Sequence, residues 1–298
     1  MSYVPDFKPA LITTYADENV PYSIGKYPAG EMHVRITNPD RLVKCVQVTI
    51  DANLTSGDAI MTFFGLVGAL VGINPSIQID LCLPYLPYSR QDRTCHPGED
   101  FALKTFVHLL CDYMSNRVRD WSITTMDVHS SVSQQLFEEA GCGHRFEVIA
   151  AADLLFGRFA IDKYSVIVSP DVGAECRALG VAKAVDYKNP PPVIVMTKER
   201  DPDTGYLSKF GIATDLAGID LTGSLLLVDD ICDGGRTFIG AAKALRDAGF
   251  TGKLSLYVTH GIFSAGYTAL SETFYEILVG NDISICTDPK PRNITVLS

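Results

Sequence analysis

The chain has no Cys-x-x-Cys pair, no long apolar run, no low-complexity block and no excess of basic residues. Each absence removes a class of function. The eight cysteines, at positions 45, 82, 95, 111, 142, 176, 232 and 286, are scattered, and several lie in apolar runs where a thiol behaves as a small hydrophobe; they read as reduced core residues. The most apolar stretch, Asp58 to Ile73, opens on an acid, is interrupted by glycines and falls short of the roughly 20 residues that a membrane span needs. No basic segment followed by an apolar one opens the sequence, so no signal peptide is expected and a cytoplasmic location follows. Lys and Arg total 25 against 35 Asp and Glu, a formal charge of −10, which argues against nucleic acid or an anionic membrane as partner. An anionic small substrate would need a local cationic patch or a bound metal to offset that field.

What is present is an α/β pattern. With 298 residues, 47% of them hydrophobic and 20% charged, the chain has the length and composition of two compact domains of similar size. Short apolar runs predict strands over Lys44–Ile50, Ile77–Pro84, Ser122–Asp127, Ser165–Ser169, Val193–Thr197, Leu225–Asp229 and Lys253–Thr259. Helices are predicted between them, over Asp58–Val71, Leu103–Tyr113, Ser131–Ala140, Val172–Val185 and Gly235–Ala248. In the last, Phe238, Ala242, Leu245 and Ala248 recur at three- and four-residue spacings and predict one buried stripe. This alternation favours parallel sheets covered by helices. The glycine-bearing segment Gly141–Glu147 is the best candidate domain boundary.

The most informative stretch runs from Leu225 to Thr237: an apolar strand ending in Asp229 and Asp230, then Asp233, the pair Gly234-Gly235, Arg236 and Thr237 at a helix start. Such a turn can aim backbone N–H groups at a phosphate, which the helix dipole also favours. If the strand continues through the two acids they point to opposite faces, so one can meet a ribose diol while the other supports the loop. An ordinary strand-to-helix turn, with Asp233 or Thr237 near a cap, has the same shape. The loop is neither a Walker A sequence nor G-x-G-x-x-G.

Other segments carry their own chemistry. Arg90-Gln91-Asp92-Arg93 follows an apolar strand and presents two guanidinium groups suited to bidentate contacts with phosphate, or is a solvated turn. Asp127 and His129, two apart at a strand end, share a face and can combine a carboxylate with an imidazole around a metal–nucleotide complex. Asp171, after Ser-Pro at another strand end, is a candidate Mg²⁺ ligand and equally a candidate helix N-cap. Lys198-Glu-Arg200 leads into the polar, turn-rich Asp201-Pro-Asp-Thr-Gly205, which predicts a mobile loop.

Taken together, the 225–237 loop, Tyr27-Pro-Ala-Gly-Glu31-Met-His-Val-Arg-Ile36, Pro84–Arg93, Thr125–His129, Val168–Gly173 and Thr259–Ser264 resemble, in order, the signatures of ribose-phosphate diphosphokinases. The resemblance covers most of the chain. It implies two tandem type I phosphoribosyltransferase-like domains with mainly parallel central sheets: residues 1–146 on the ATP side, joined by the C-terminal tail 283–298, and residues 147–282 on the ribose-phosphate side. It further implies transfer of the β,γ-diphosphate of ATP to the C1 hydroxyl of ribose 5-phosphate, with Mg²⁺ as cofactor. Asp229, Asp230, Asp233, Gly234, Gly235, Arg236 and Thr237 would hold the sugar phosphate, and Arg90, Gln91, Asp92 and Arg93 the nucleotide phosphates. His129 and Asp171 would organise the metal, and Lys198, Arg200 and His129 would serve the transfer. Tyr27 and Glu31 resemble an adenine-recognition element supplied by a neighbouring subunit, which implies a homo-oligomer, from dimer to hexamer, with a shared ATP site.

Three departures from the family pattern matter. Ala29 stands where an acid is usual, Thr94–Phe101 replaces an Arg-x-Pro-Ile segment, and Arg236 stands where the phosphate loop has glycine. A guanidinium there can crowd a monophosphate or neutralise a diphosphate ester, so ADP-ribose is an alternative acceptor, which would place the enzyme in NAD synthesis. A non-catalytic regulatory homologue and a phosphoribosyltransferase are the further alternatives.

Overall fold

A computed structural model describes residues 2–3, 10–14, 18–200 and 207–297; the side chains of 2–3, 199–200 and 207–209 are outside that description. The chain divides into unit one, Met1–Ile149, and unit two, Ala150–Ser298.

Unit one comprises β1 (Ser2–Tyr3), β2 (Ala10–Thr14), β3 (Tyr22–Lys26), β4 (Met32–Ile36), β5 (Gln47–Ala52), α1 (Gly57–Ile73), β6 (Gln78–Leu83), α2 (Ala102–Arg117), β7 (Trp121–Met126), α3 (Val132–Glu139) and β8 (Phe146–Ile149). Its main sheet has the order β2-β5-β6-β7-β8, parallel except for β2, which runs antiparallel to β5. Ile50, Leu81 and Ile123 from the sheet and Phe63, Leu66, Leu110 and Met114 from the helices form one core. Helix α1 starts where Ser56 accepts from the Ala59 amide at 3.2 Å, a cap whose removal costs about 1 kcal/mol. Separately, β1, β3 and β4 form a small antiparallel sheet with β3 at its centre.

Unit two comprises α4 (Ala151–Leu155), β9 (Val166–Ser169), α5 (Glu175–Val185), β10 (Val193–Arg200), β11 (Leu207–Ile212), β12 (Leu225–Cys232), α6 (Arg236–Asp247), β13 (Leu254–Gly261), α7 (Thr268–Thr273), β14 (Ile277–Asp282) and β15 (Ile294–Val296). Its sheet has the order β11-β10-β9-β12-β13-β14-β15, parallel except for the β10–β11 hairpin. Both faces are covered, which is why β12 opens as an unbroken apolar run. Leu225 and Leu227 pack on the α6 side with Phe238 and Leu245, while Leu226 and Val228 pack on the α5 side with Ala178 and Val181. Phe238 and Leu245 each contribute about 1.5–3 kcal/mol by leaving water.

The fold is thus α/β, with mainly parallel central sheets in tandem units. Two expectations change. The division falls at Ile149/Ala150 and not at 146/147, because residues 146–149 form β8 and hydrogen-bond to β7. The tail 283–298, expected to join the first domain, adds β15 to the sheet of unit two, where Ile294, Thr295 and Val296 align with Ile277, Leu278 and Val279.

Candidate active site

The strand order of unit two reverses at β9: the chain goes from β9 outward to β10, then returns to place β12 on the other side. In open α/β sheets such a switch point leaves a crevice beyond the carboxyl ends of the two strands, and ligands bind there. Asp171, the expected metal ligand, follows β9, and Asp229, Asp230 and Asp233, expected to hold the sugar phosphate, lie at the end of the neighbouring β12.

Asp171 plays the cap role directly, accepting from the Ala174 amide at 3.2 Å at the start of the 3₁₀ turn Val172–Ala174 that precedes α5. Its other carboxylate oxygen pairs with the Lys198 ammonium. The strand expected to end at Thr197 runs on to Arg200 and so includes Lys198. This residue lies inside β10, opposite Phe210 of β11, because strand pairing carries β10 on through Arg200. The side chain of Arg200 and residues 201–206 are outside the described residues.

Strand β12 continues through Asp229 and Asp230, yet both carboxylates lie within reach of one guanidinium. Arg177 of α5 approaches Asp229 Oδ1 at 3.3 Å and Asp230 Oδ1 at 4.0 Å, so the predicted division of labour between opposite faces is replaced by a shared cation. The Asp230 amide also donates to Asp229 Oδ1 at 2.9 Å. Burial, and then the neighbouring Asp230, push the Asp229 carboxyl well above the ordinary carboxylate range, while Arg177 pulls it back. Burial also pushes the Cys232 thiol up to about 12, with Asp233 and Asp229 adding to it, so this cysteine is an inert thiol at neutral pH.

The loop that follows is built to leave backbone amides open. Gly235 is left-handed, at φ 76°, and a Cβ there would sit 3.0 Å from Leu270, so the turn requires glycine. No side chain caps α6. The Asp233 carboxylate accepts from Ser264 and is thereby held at the edge of the loop. Thr237 is half-buried in the first turn, Gly234 is half-buried beside Ser264 and Ala265, and Arg236 at the first helical position is exposed, without an ion pair among the described residues.

In unit one the candidate residues occupy loops beyond the carboxyl ends of β6 and β7. A cleft of about 600 Å³ is lined by Ser56 and Gly57 at the start of α1 and by Tyr85, Tyr88, Arg90 and Gln91. Asp92 is held inward, accepting from Ser130 Oγ at 2.7 Å, which ties this loop to the one carrying His129. Arg93 is 81% exposed. The intervening segment 94–101 folds around Glu99, whose carboxylate accepts from the amides of Cys95 and His96. Asp127 and His129 do not share a face: β7 ends at Met126, Asp127 turns left-handed at φ 40° and is buried, and His129 is exposed. The β3–β4 hairpin closes where the Tyr27 amide donates to the Glu31 carbonyl and the Gly30 amide to the Tyr27 carbonyl, with Gly30 at φ 101°; Tyr27 and Glu31 are exposed at its tip, and Tyr27 packs edge-on to His33.

Backbone strain gives independent support. Among the described residues, three other than glycine have positive φ: Tyr88 at 62°, Asp127 at 40° and Phe263 at 51°. Each lies inside one of the motifs singled out from the sequence, and such conformations concentrate where function requires them. Arg177 was missed by sequence reading. An arginine at the edge of a helix stripe of Ala178, Val181 and Ala182 signals nothing until topology brings β12 beside it.

No family model matches the chain. Among characterised proteins, the ribose-phosphate pyrophosphokinase of Agrobacterium fabrum is 31% identical over 228 residues, covering 74% of this chain and 67% of that protein. The one from Maricaulis maris is 30% identical over 256 residues, 85% of this chain and 76% of its own. That of Rhizobium meliloti is 29% identical over 292 residues, 97% and 84% respectively. The crystal structure of phosphoribosylpyrophosphate synthetase from Mycobacterium smegmatis matches the fold with a TM-score of 0.73 at 24% identity, over 93% of this chain and 86% of that one. The chain therefore belongs to the ribose-phosphate pyrophosphokinase family and is an enzyme of the diphosphotransferase class.

Proposed function

We propose that this enzyme moves the β,γ-diphosphate of ATP onto the C1 hydroxyl of ribose 5-phosphate, releasing AMP. The observation that carries the reading is the open, glycine-built α6 start directly after the paired acids of β12, at the switch point of unit two. A 5-phosphate docks on the first-turn amides of α6, and the Asp229–Asp230 pair accepts from the ribose diol. In unit one, Arg90 and Arg93 hold nucleotide phosphates, Gln91 lines the same cleft, and Asp92 keeps the loop in place. The exposed hairpin tip supports a role for Tyr27 and Glu31 in meeting the adenine of a neighbouring subunit, in a homo-oligomer.

Magnesium fits the donors present. Among the described residues no group of three or more His, Cys, Asp or Glu forms a cage, and Mg²⁺ favours one or two protein ligands completed by phosphate oxygens and water. Asp171 is the ligand proposed in unit two and His129 the one proposed in unit one, and a bound Mg²⁺ would supply charge neutralisation on the transferring group. Lys198, with Arg200 beside it in sequence, stabilises the charge that builds on the equatorial oxygens as the O1–Pβ bond forms and the bond to the α-phosphate breaks. No protein nucleophile is needed, because orientation of the two substrates supplies most of what the chemistry asks.

ADP-ribose is kept as a second acceptor on one observation: Arg236 is exposed at the start of α6 and unpaired among the described residues, and so is available to an additional phosphate. Incubating the purified chain with Mg-ATP and either acceptor, and identifying products by mass, separates the two. Turnover on ribose 5-phosphate well above that on ADP-ribose is expected; the reverse order would transfer the proposal to the second acceptor.

A further inference from the structure

Three side chains at the switch point meet with little exposure to water: the Arg177 guanidinium, only 11% exposed, against Asp229 and Asp230, at 16% and 7%. Withdrawing three charges from water is expensive, and apolar side chains of similar volume often stabilise a fold as well or better. Arg177 sits one position before the buried Ala178 and four before the buried Val181, at the edge of a stripe that an apolar residue would extend. Packing alone therefore does not account for a guanidinium there. Two carboxylates side by side do, because without a cation they repel, rotate apart or take up a proton, and a protonated or rotated pair accepts poorly from vicinal hydroxyls.

We infer that Arg177 is a positioning residue for the sugar substrate: it holds the Asp229 and Asp230 carboxylates side by side so that both can accept hydrogen bonds from a cis-diol. The inference rests on the reading of these acids as the diol-binding pair. A guanidinium suits the task better than an ammonium, because its planar fork can address two acceptors at once. The other titratable groups on the flanking elements are Asp171 with its Lys198 partner, Glu175, Cys176 and Lys183 on α5, Cys232 and Asp233 on and after β12, and the buried Tyr257 and His260 on β13. Of these groups, Arg177 is the cation that pairs directly with Asp229 and lowers its proton affinity.

The test is steady-state kinetics of Arg177→Met and Arg177→Lys as a function of pH, with calorimetric binding of ribose 5-phosphate as a readout that needs no turnover. For Arg177→Met we expect the KM and the calorimetric Kd for ribose 5-phosphate to rise about tenfold, with kcat and the KM for ATP little changed. The acid limb of kcat/KM should move to higher pH by about one unit, since the pair loses its opposing charge. Arg177→Lys should restore the limb and only part of the affinity. An unchanged sugar affinity together with an unmoved limb would overturn the proposal. Should Arg177→Met fail to fold by circular dichroism, Arg177→Lys decides alone: a several-fold weaker sugar affinity upholds the proposal, and an unchanged one overturns it. Absence of turnover by the unmodified chain counts against the proposed function, whereas turnover and sugar binding indifferent to Arg177 count against this inference alone.

Discussion

The two units use the same layered construction but treat their candidate residues in opposite ways. In unit one the parallel strands β5, β6, β7 and β8 follow one another across the sheet without reversal, and Arg90, Gln91, Arg93, His129, Tyr27 and Glu31 are exposed on loops and a hairpin tip. In unit two the order reverses between β9 and β12, and the acids at those strand ends are drawn inward and matched: Asp171 with Lys198, Asp229 and Asp230 with Arg177, Asp233 with Ser264. The contrast follows from topology. A switch point opens a crevice between two strand ends, and charges placed in it lose water and need partners, whereas charges on loops beyond a sequential sheet keep their water. On the proposed reading, the acids of unit two are held in place before a small polar ligand arrives, while the cations proposed for the nucleotide in unit one stay in contact with water.

The largest effect that sharpens this comparison is expected at Lys198. Lys198→Ala should lower turnover about a thousandfold, since its charge is needed mainly in the transition state. Loss of the mostly buried ion pair with Asp171, whose side chains are 27% and 21% exposed, should cost about 1–3 kcal/mol of stability, because the carboxylate is left without its cation. A single-turnover rate beside a thermal melt checks both, and an unchanged rate would remove Lys198 from the chemistry.

A medium effect is expected at Asp229. Its carboxyl has a higher pKa in the folded chain than in the unfolded one, so the folded state binds the proton more tightly. That contribution is fully present below the ordinary carboxylate pKa of about 4 and is lost as pH rises through the higher folded value. Asp229→Asn, which cannot ionise, should show a flatter dependence of Tm on pH above about 4 while binding ribose 5-phosphate more weakly. Parallel Tm profiles of the two proteins would show that the crevice imposes no such cost.

The smallest structural effect belongs to unit one. Arg93→Ala should leave stability within about 0.5 kcal/mol of the unmodified chain, as for most exposed positions, while raising the KM for ATP several-fold through a lost charge-assisted contact. A destabilisation comparable to that of a core substitution would break the distinction between an open unit and a preorganised one.

What could be read from sequence, and what could not, divides along similar lines. The strands and helices of the parallel cores announce themselves: Ile77–Pro84 corresponds to Gln78–Leu83, and Gly235–Ala248 to Arg236–Asp247, because apolar runs and three- and four-residue spacings are local signals. The short hairpin strands β3, β4 and β11 and the edge strand β15 carry no such signal; their partners are set by tertiary pairing. The Asp229–Asp230 loop was visible because acids, glycines and an apolar strand are contiguous. Arg177 was not, since 52 residues separate it from Asp229. Asp127 misled for a different reason: alternation predicts a shared face with His129 only while the strand lasts, and a left-handed residue ends it.

The most direct test of diphosphate transfer is which nucleotide leaves when the enzyme consumes ATP with ribose 5-phosphate. Stoichiometric AMP, with a diphosphorylated sugar of matching mass, is the predicted result. Release of ADP with a sugar carrying a single added phosphoryl group would contradict diphosphate transfer and, with it, the roles proposed for both units.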